Sequence, residues 1–399
     1  MTQVQKAWSW SAVLFVVVMA IVGALIDRAT HRIASTVEQR FGYTPDPEGT
    51  REFLAELEHP TFGDAAEEAV AKVQYKDTFL YRHLDKAHRS VYGVPWQSMN
   101  QGNAGTCVSF AFALASRVGQ SCDWVVGRMP MPPPEISTET IYGGSRTLGR
   151  LPPLKVPPFG HETNNGGDGS YGAAAARWVS GLDKLERGGI LYRQKYGAYD
   201  LTTYSIPASR EWGRVGVPDE LAKCAYEHRA QAVAQVTDWE SLCAALESGY
   251  AVVLCSNVGY GGTGVTDSDG FLPRGSSWAH AMCVTAVRHA RNAPKDGSVR
   301  NPRDGALVQN SWGTTWVRYA GRWPADQPDG SFWAERRHVE SALQQGDCFA
   351  VGGVDGFAWR ELDNGAWLEP APVRVEPAST AGRFSADHVV PRGTFSLAP

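Results

Sequence analysis

The sequence predicts an α+β protein with helices in its first half and a sheet in its second, for three reasons. Helical periodicity is concentrated before residue 190, runs of branched and aromatic residues gather after residue 250, and both blocks lie in a dense, apolar, Gly-rich stretch spanning 91–354. That order implies two packed halves. At 399 residues, with 43% hydrophobic and 11% aromatic content, the chain has the apolar surface for one large domain or two moderate ones. It is neither disordered nor fibrous.

The first element is 7-AWSWSAVLFVVVMAIVGALI-26, uncharged between Lys6 and Asp27. At about 1.5 Å per residue such a run crosses a bilayer core of roughly 30 Å, which predicts a transmembrane anchor within residues 1–26. A secretory signal cut after Ala24 is the alternative, because Val22-Gly23-Ala24 is a small-residue cleavage site. Arg28, Arg32 and Arg40 outnumber Lys6 and favour keeping the chain in the cytoplasm, whereas secretion implies the opposite, so sidedness stays open.

Residues 27–90 are charged and weakly amphipathic, with helices expected over 50–60, stopped by Pro60, and over 64–90. They read as a helical spacer or a pro-segment ahead of the main domain, 91–354. Within that domain 108–118 continues as a helix from a Gly-broken loop, and 171–190 has an Ala-rich helical pattern ended by Gly188-Gly189. The proline-dense stretches 129–136 and 151–160 are expected as extended surface loops. Strands are expected over 250–258, 280–289, 306–312 and 348–354. From Asp355 to Pro399 the chain turns to Pro, Ala and Ser and reads as an extended tail.

A net charge of −4 from 38 basic and 42 acidic residues, well mixed, provides no broad positive field, which argues against nucleic acid as a partner. Seven cysteines without a CxxC pair support neither structural zinc nor a disulfide framework, and the odd count leaves a thiol free.

One of those cysteines has chemical company. In 101-QGNAGTCVSFAFALAS-116, Gly102 and Gly105 break the loop that delivers Cys107 to a helix N-terminus, where the helix dipole lowers a thiol pKa. Alone, the loop reads equally as a cap around a structural cysteine. A nucleophile also needs a base, a group to orient the base, and a donor for the oxyanion. His280 at a strand start, Asn310 in 309-QNSWG-313 and Gln101 ahead of the cysteine supply side chains of those three kinds. Each has a structural alternative as a strand-end histidine, a turn asparagine or a loop amide.

Together these segments resemble the papain-like cysteine peptidases, in which a Gln-Gly-x-x-Gly-x-Cys loop opens the central helix and His and Asn-Ser-Trp-Gly follow. Further similarity lies in 135–143, in 164–179 with its Gly166-Gly167 pair, in 189–200 and in 330–351, whose segment looks like closing strands. The resemblance implies a two-lobed fold, a helical lobe carrying Cys107 on its central helix and a β-barrel-like lobe. It implies Cys107 as nucleophile, His280 as general base and then acid, Asn310 as orienter and Gln101 as oxyanion donor. Trp312 would shield the Asn–His contact beside the substrate, whose extended backbone is expected along 165–170, with Gly166 and Gly167 permitting close approach. No metal or organic cofactor is required, and the partner is a peptide or protein substrate. The sequence departs from the family in lacking the cysteine before the nucleophile and its bridge partner, and in having Val108 where a tryptophan is usual. A catalytically silent binding protein, or an amidase acting on cell-wall or acyl substrates, are the alternatives.

Overall fold

The computed structural model describes residues 41–147, 168–181, 186–261, 264–353 and 355–362. The expected membrane span, Gly166, Gly167, the 151–160 loop and the tail beyond Leu362 lie outside these residues. Among the described residues no helix is long and apolar enough to cross a membrane.

The helical part comprises α1 (Pro47–Leu54), α2 (Phe62–Ala65), α3 (Glu67–Lys72), α4 (Tyr81–Tyr92), α5 (Cys107–Val125), α6 (Thr138–Thr147), α7 (Gly172–Val179), α8 (Ile206–Val215), α9 (Asp219–Tyr226) and α10 (Trp239–Glu247). The strands are β1 (Thr78–Phe79), a small hairpin of β2 (Lys195–Tyr196) and β3 (Tyr199–Asp200), then β4 (Val233–Gln235), β5 (Val252–Ser256), β6 (His280–Arg288), β7 (Gly305–Gln309), β8 (Ser331–Glu335) and β9 (Cys348–Val351). A last helix, α11 (Arg336–Leu343), separates β8 from β9. The main sheet is antiparallel in the order β4-β9-β5-β6-β7-β8, and β1 adds to the far end of β6.

Two elements position the candidate site. Helix α5 is buried along almost its whole length, with apolar or small residues on every face, the pattern of a helix at the centre of a core rather than on a surface. Strand β6 is buried at every residue, because α5 packs on it and β5 and β7 flank it. The N-terminal end of each meets the other: the Ala281 N–H points at the Cys107 sulfur, 3.4 Å away.

The expected boundary near residue 91 is not where the packing divides. Phe53, Phe62, Phe79 and Leu84 belong to the common core, and Leu80 N–H donates to Thr285 O at 2.8 Å. The expected long helix over 64–90 is broken into α3, β1 and α4, because Thr78 and Phe79 gain more by pairing with Val287 and Ala286 than by continuing a helix. Helix α4 ends on Gly93, whose φ of 72° suits a glycine and whose N–H caps Arg89 O. The expected tail likewise begins too early. Arg360 is fully buried against Asp123 and the carbonyls of Ser248 and Gly249, and Phe357 packs on Phe62 and Tyr250. Within 330–351, the segment read as closing strands contains α11 between β8 and β9. All seven cysteines are free thiols.

Candidate active site

The loop before α5 is built by contacts that reach across the fold. Gly105 N–H donates to Asp168, which is held by an ion pair with Arg210 at 2.8 Å. Thr106 Oγ1 lies 3.0 Å from the Tyr204 hydroxyl. On the other side, Gln101 N–H donates to Ser311 O and Gly313 N–H to Met99 O, so the cysteine loop and the Asn310 turn are stitched edge to edge.

These links bring the four expected side chains into one place. His280 Nε2 and Asn310 Oδ1 are 2.8 Å apart, and the same oxygen accepts from Ser311 N–H at 2.7 Å. An oxygen already accepting from an amide is an acceptor, so Nε2 carries the proton. That tautomer leaves Nδ1 with the basic lone pair, and Nδ1 has no hydrogen-bond partner among the described residues. Trp312 stacks on the imidazole at 4.7 Å between ring centroids, and Trp278 meets Trp312 edge-on at 5.1 Å. The Gln101 side chain donates to Ala104 O at 2.6 Å and accepts from Ser311 Oγ, which fixes its amide beside the thiol loop.

The cleft is closed by residues that the sequence alone did not single out. The Phe41 ring lies 5.8 Å from His280, 5.4 Å from Trp278 and 5.6 Å from Trp312, centroid to centroid. Gly42 N–H is a hydrogen-bond donor to the Cys107 sulfur. A Cβ at Gly42 would lie 2.0 Å from Gly105 O, so only glycine fits this close approach. Ser170 N–H donates to Gly42 O at 2.7 Å and Ser170 O accepts from Thr44 N–H at 2.9 Å, a short parallel bridge around Tyr43. Of the expected 165–170 stretch, 165–167 lie outside the described residues, and Ser170 pairs with the chain's own backbone at Tyr43. The Tyr43 side chain is buried and its hydroxyl meets Asp347.

This cover reverses the expected electrostatics. With Cys107 and His280 both fully buried, burial pushes the thiol up to about 11, against the smaller lowering effects of N–H bonds from Ala281 and Gly42. Burial pushes His280 down to about 4, opposed by its bond to Asn310. The helix N-terminus does not produce a low thiol pKa here, because loss of water outweighs the dipole. In this closed form the pair is a neutral thiol and a neutral imidazole. Among the described residues no group of three or more His, Cys, Asp or Glu side chains is placed to hold a metal ion.

No protein-family model matches the chain, and no curated protein matches it. Similar solved structures include xylellain, a cysteine protease from Xylella fastidiosa, at TM-score 0.48 and 16% identity over 79% of this chain and 97% of that one. Procathepsin B S9 from Trypanosoma congolense is similar at TM-score 0.44 and 12% identity, covering 80% and 88% of the two chains. Digestive procathepsin L 3 of Tenebrio molitor larval midgut follows at 0.42 and 13%, covering 82% and 88%.

Proposed function

We propose that the chain is a papain-like cysteine endopeptidase, tethered to a membrane by residues 7–26 and held latent by residues 41–44. The observation that carries the peptidase reading is the His280–Asn310 bond at 2.8 Å, which leaves Nδ1 as the basic nitrogen, on a residue whose neighbour Ala281 donates its N–H to the Cys107 sulfur at 3.4 Å.

In the open enzyme His280 takes the Cys107 proton and the thiolate adds to a peptide carbonyl. The oxyanion is held by the Cys107 N–H and the Gln101 amide. As the C–N bond breaks, His280 passes its proton to the leaving amine, and water then hydrolyses the thioester to a carboxylate and the free thiol. Asn310 keeps the imidazole in the tautomer this requires, and Trp312 keeps water from their bond.

The same chemistry explains why residues 41–44 block the cleft instead of being cut. A leaving amine must sit beside His280, so a substrate's C-terminal side lies toward His280 and its N-terminal side toward Ser170. In the closed form Phe41, the N-terminal neighbour of Gly42, is the residue on His280, and Gly42 O points to Ser170 N–H. The segment runs backwards, with the Gly42 carbonyl turned to Ser170 N–H.

Labelling the full chain with a peptidyl epoxide tests the peptidase reading: modification of Cys107 is expected once the segment is displaced, and His280→Ala should suppress it. No labelling of folded, opened protein would sink it. Alkaline extraction of membranes tests the tether, because release of the full-length chain into the supernatant contradicts an anchor. A mature mass matching a cut after Ala24 points to secretion instead.

A further inference from the structure

A second concavity, on the flank of α5, encloses about 340 Å3 and shares no residue with the Cys107–His280 pair. That volume is at the small end of the range for ligand pockets. Helix α5 contributes Phe110, Ala113, Leu114 and Arg117, at the three- and four-residue spacing of one helix face. With Trp96 and Ile136 they make a buried wall. The mouth is polar and exposed, at Gln97, Asn100, Thr202 and Thr203. Three charged side chains line the cavity: Arg117, Glu135 and Arg193. Arg193 is already paired, its Nη1 donating to both oxygens of fully buried Glu139 at 2.8 Å. Arg117 is only 4% exposed; its Nη2 donates to His88 Nδ1 at 3.0 Å and its Nε to Pro133 O at 3.4 Å, while Nη1 lies 3.7 Å from Glu135 Oε1. That is too long for a hydrogen bond, as is the 3.8 Å from the same oxygen to His88 Nδ1. A buried guanidinium and a half-buried carboxylate thus stand side by side in the wall of a largely apolar cavity without closing on each other.

We propose that this cavity binds a free α-amino acid with an apolar side chain, its carboxylate on Arg117, its ammonium on Glu135 and its side chain against Trp96, Phe110 and Leu114. The charges decide the class. A carboxylate alone would meet Arg117 but repel Glu135, and an amine alone would do the reverse, whereas a zwitterion matches both and gives the buried guanidinium the close anion it lacks. The spacing decides the size. An α-amino acid carries both charges on one carbon, which suits an Arg117–Glu135 separation of 3.7 Å, while in a dipeptide they sit on Cα atoms about 3.8 Å apart and point away from each other. The apolar wall then selects against glycine and against charged side chains. Trp96, Met99, Phe110 and Leu114 also line a void of about 10 Å3, room for about one water, whose far side is formed by Ala281, Asn310 and Ser311. An occupant therefore sits one layer of side chains behind the Asn310 turn, to which Met99 O is joined by the Gly313 N–H bond. The site stands on its own charges and shape and does not depend on the peptidase reading.

Isothermal titration calorimetry on the full chain tests this, with L-phenylalanine and L-leucine as probes. Saturable one-to-one binding of at least one is expected. N-acetyl-L-phenylalanine lacks the ammonium, L-phenylalaninamide lacks the carboxylate, and the Phe-Phe dipeptide separates the two, so each should bind at least about tenfold more weakly than phenylalanine. Arg117 is buried, and removing it tests folding as much as binding, so the variant is Glu135→Gln at a half-buried position. It should weaken phenylalanine about tenfold without weakening N-acetyl-L-phenylalanine. Phenylalanine affinity unchanged by Glu135→Gln would place the amino acid elsewhere, in the peptide cleft included, and overturns the site. So does equal affinity for the acetylated or amidated form, or the absence of binding by either amino acid at about 10 mM.

Discussion

Replacing Gly42 by alanine should convert the closed chain into an open one. A Cβ at this position lies 2.0 Å from the Gly105 carbonyl oxygen and 2.3 Å from its carbon, well inside van der Waals contact. Both partners are backbone, and Gly105 is pinned through Asp168 and Arg210, so the overlap is relieved only if residues 41–44 move. What holds them is two backbone bonds to Ser170 at about 1 kcal/mol net each, the ring contacts of Phe41 at about 1 kcal/mol each, and the buried Tyr43 ring with its hydroxyl on Asp347. Once water reaches the thiol, its pKa falls from about 11 toward the ordinary value near 8.5. At pH 7 the thiolate fraction then rises from about one in ten thousand to about 3%, so alkylation by iodoacetamide should accelerate roughly 300-fold from ionisation alone. The assay is alkylation rate by peptide mass mapping, with buried Cys122 and Cys283 and half-buried Cys224 as internal references. A rate at Cys107 within about threefold of the parent chain, with circular dichroism unchanged, would refute the idea that this segment bars the thiol.

Three further outcomes are expected. In the Gly42→Ala background, His280→Ala should lower kcat on a peptide substrate by about a thousandfold through loss of the base, and Asn310→Ala by less, since it acts through the imidazole; a loss under tenfold for His280 contradicts its role. Burial holds His83 down to about 3 and His280 and His289 down to about 4, so each is neutral when folded and protonated when unfolded below about 6.5. Stability from these three is therefore full above pH 6.5 and is lost as pH falls, by about 2 kcal/mol each between pH 7 and 5. Asp347, raised to about 6, opposes this by about 1 kcal/mol over the same range. A urea midpoint that rises on acidification would contradict this sign. Finally, Arg360→Ala should cost about 3–5 kcal/mol in chemical unfolding, because it removes the buried guanidinium paired with the buried Asp123 carboxylate.

Legibility in the sequence followed the range of the interaction. Cys107, His280 and Asn310 each sit in a local pattern, a Gly-broken helix start, a strand start and an Asn-Ser-Trp-Gly turn, so each was recoverable from a few neighbouring residues. The strands over 250–258, 280–289, 306–312 and 348–354 were found near β5, β6, β7 and β9 because their burial on both faces makes them continuously apolar. Helices α6, α8, α9 and α10 and strands β2, β3 and β4 are not among the expected elements, and neither is the strand at Thr78–Phe79, which exists only because β6 presents an open edge there. Nothing in the sequence around Asp347 or in 41-FGY-43 signals that the two meet.

By itself the sequence determined which reactive side chains the chain owns and which local elements present them, since helix starts, strands and turns are governed by residues within a few positions of one another. Only the tertiary structure decided their state. Phe41 and Gly42 cover Cys107, Tyr43 meets Asp347, and the resulting exclusion of water moves the thiol up and the imidazole down. Burial depends on what packs over a group through space, and residues far apart in the chain leave no pattern in it to announce that they will meet.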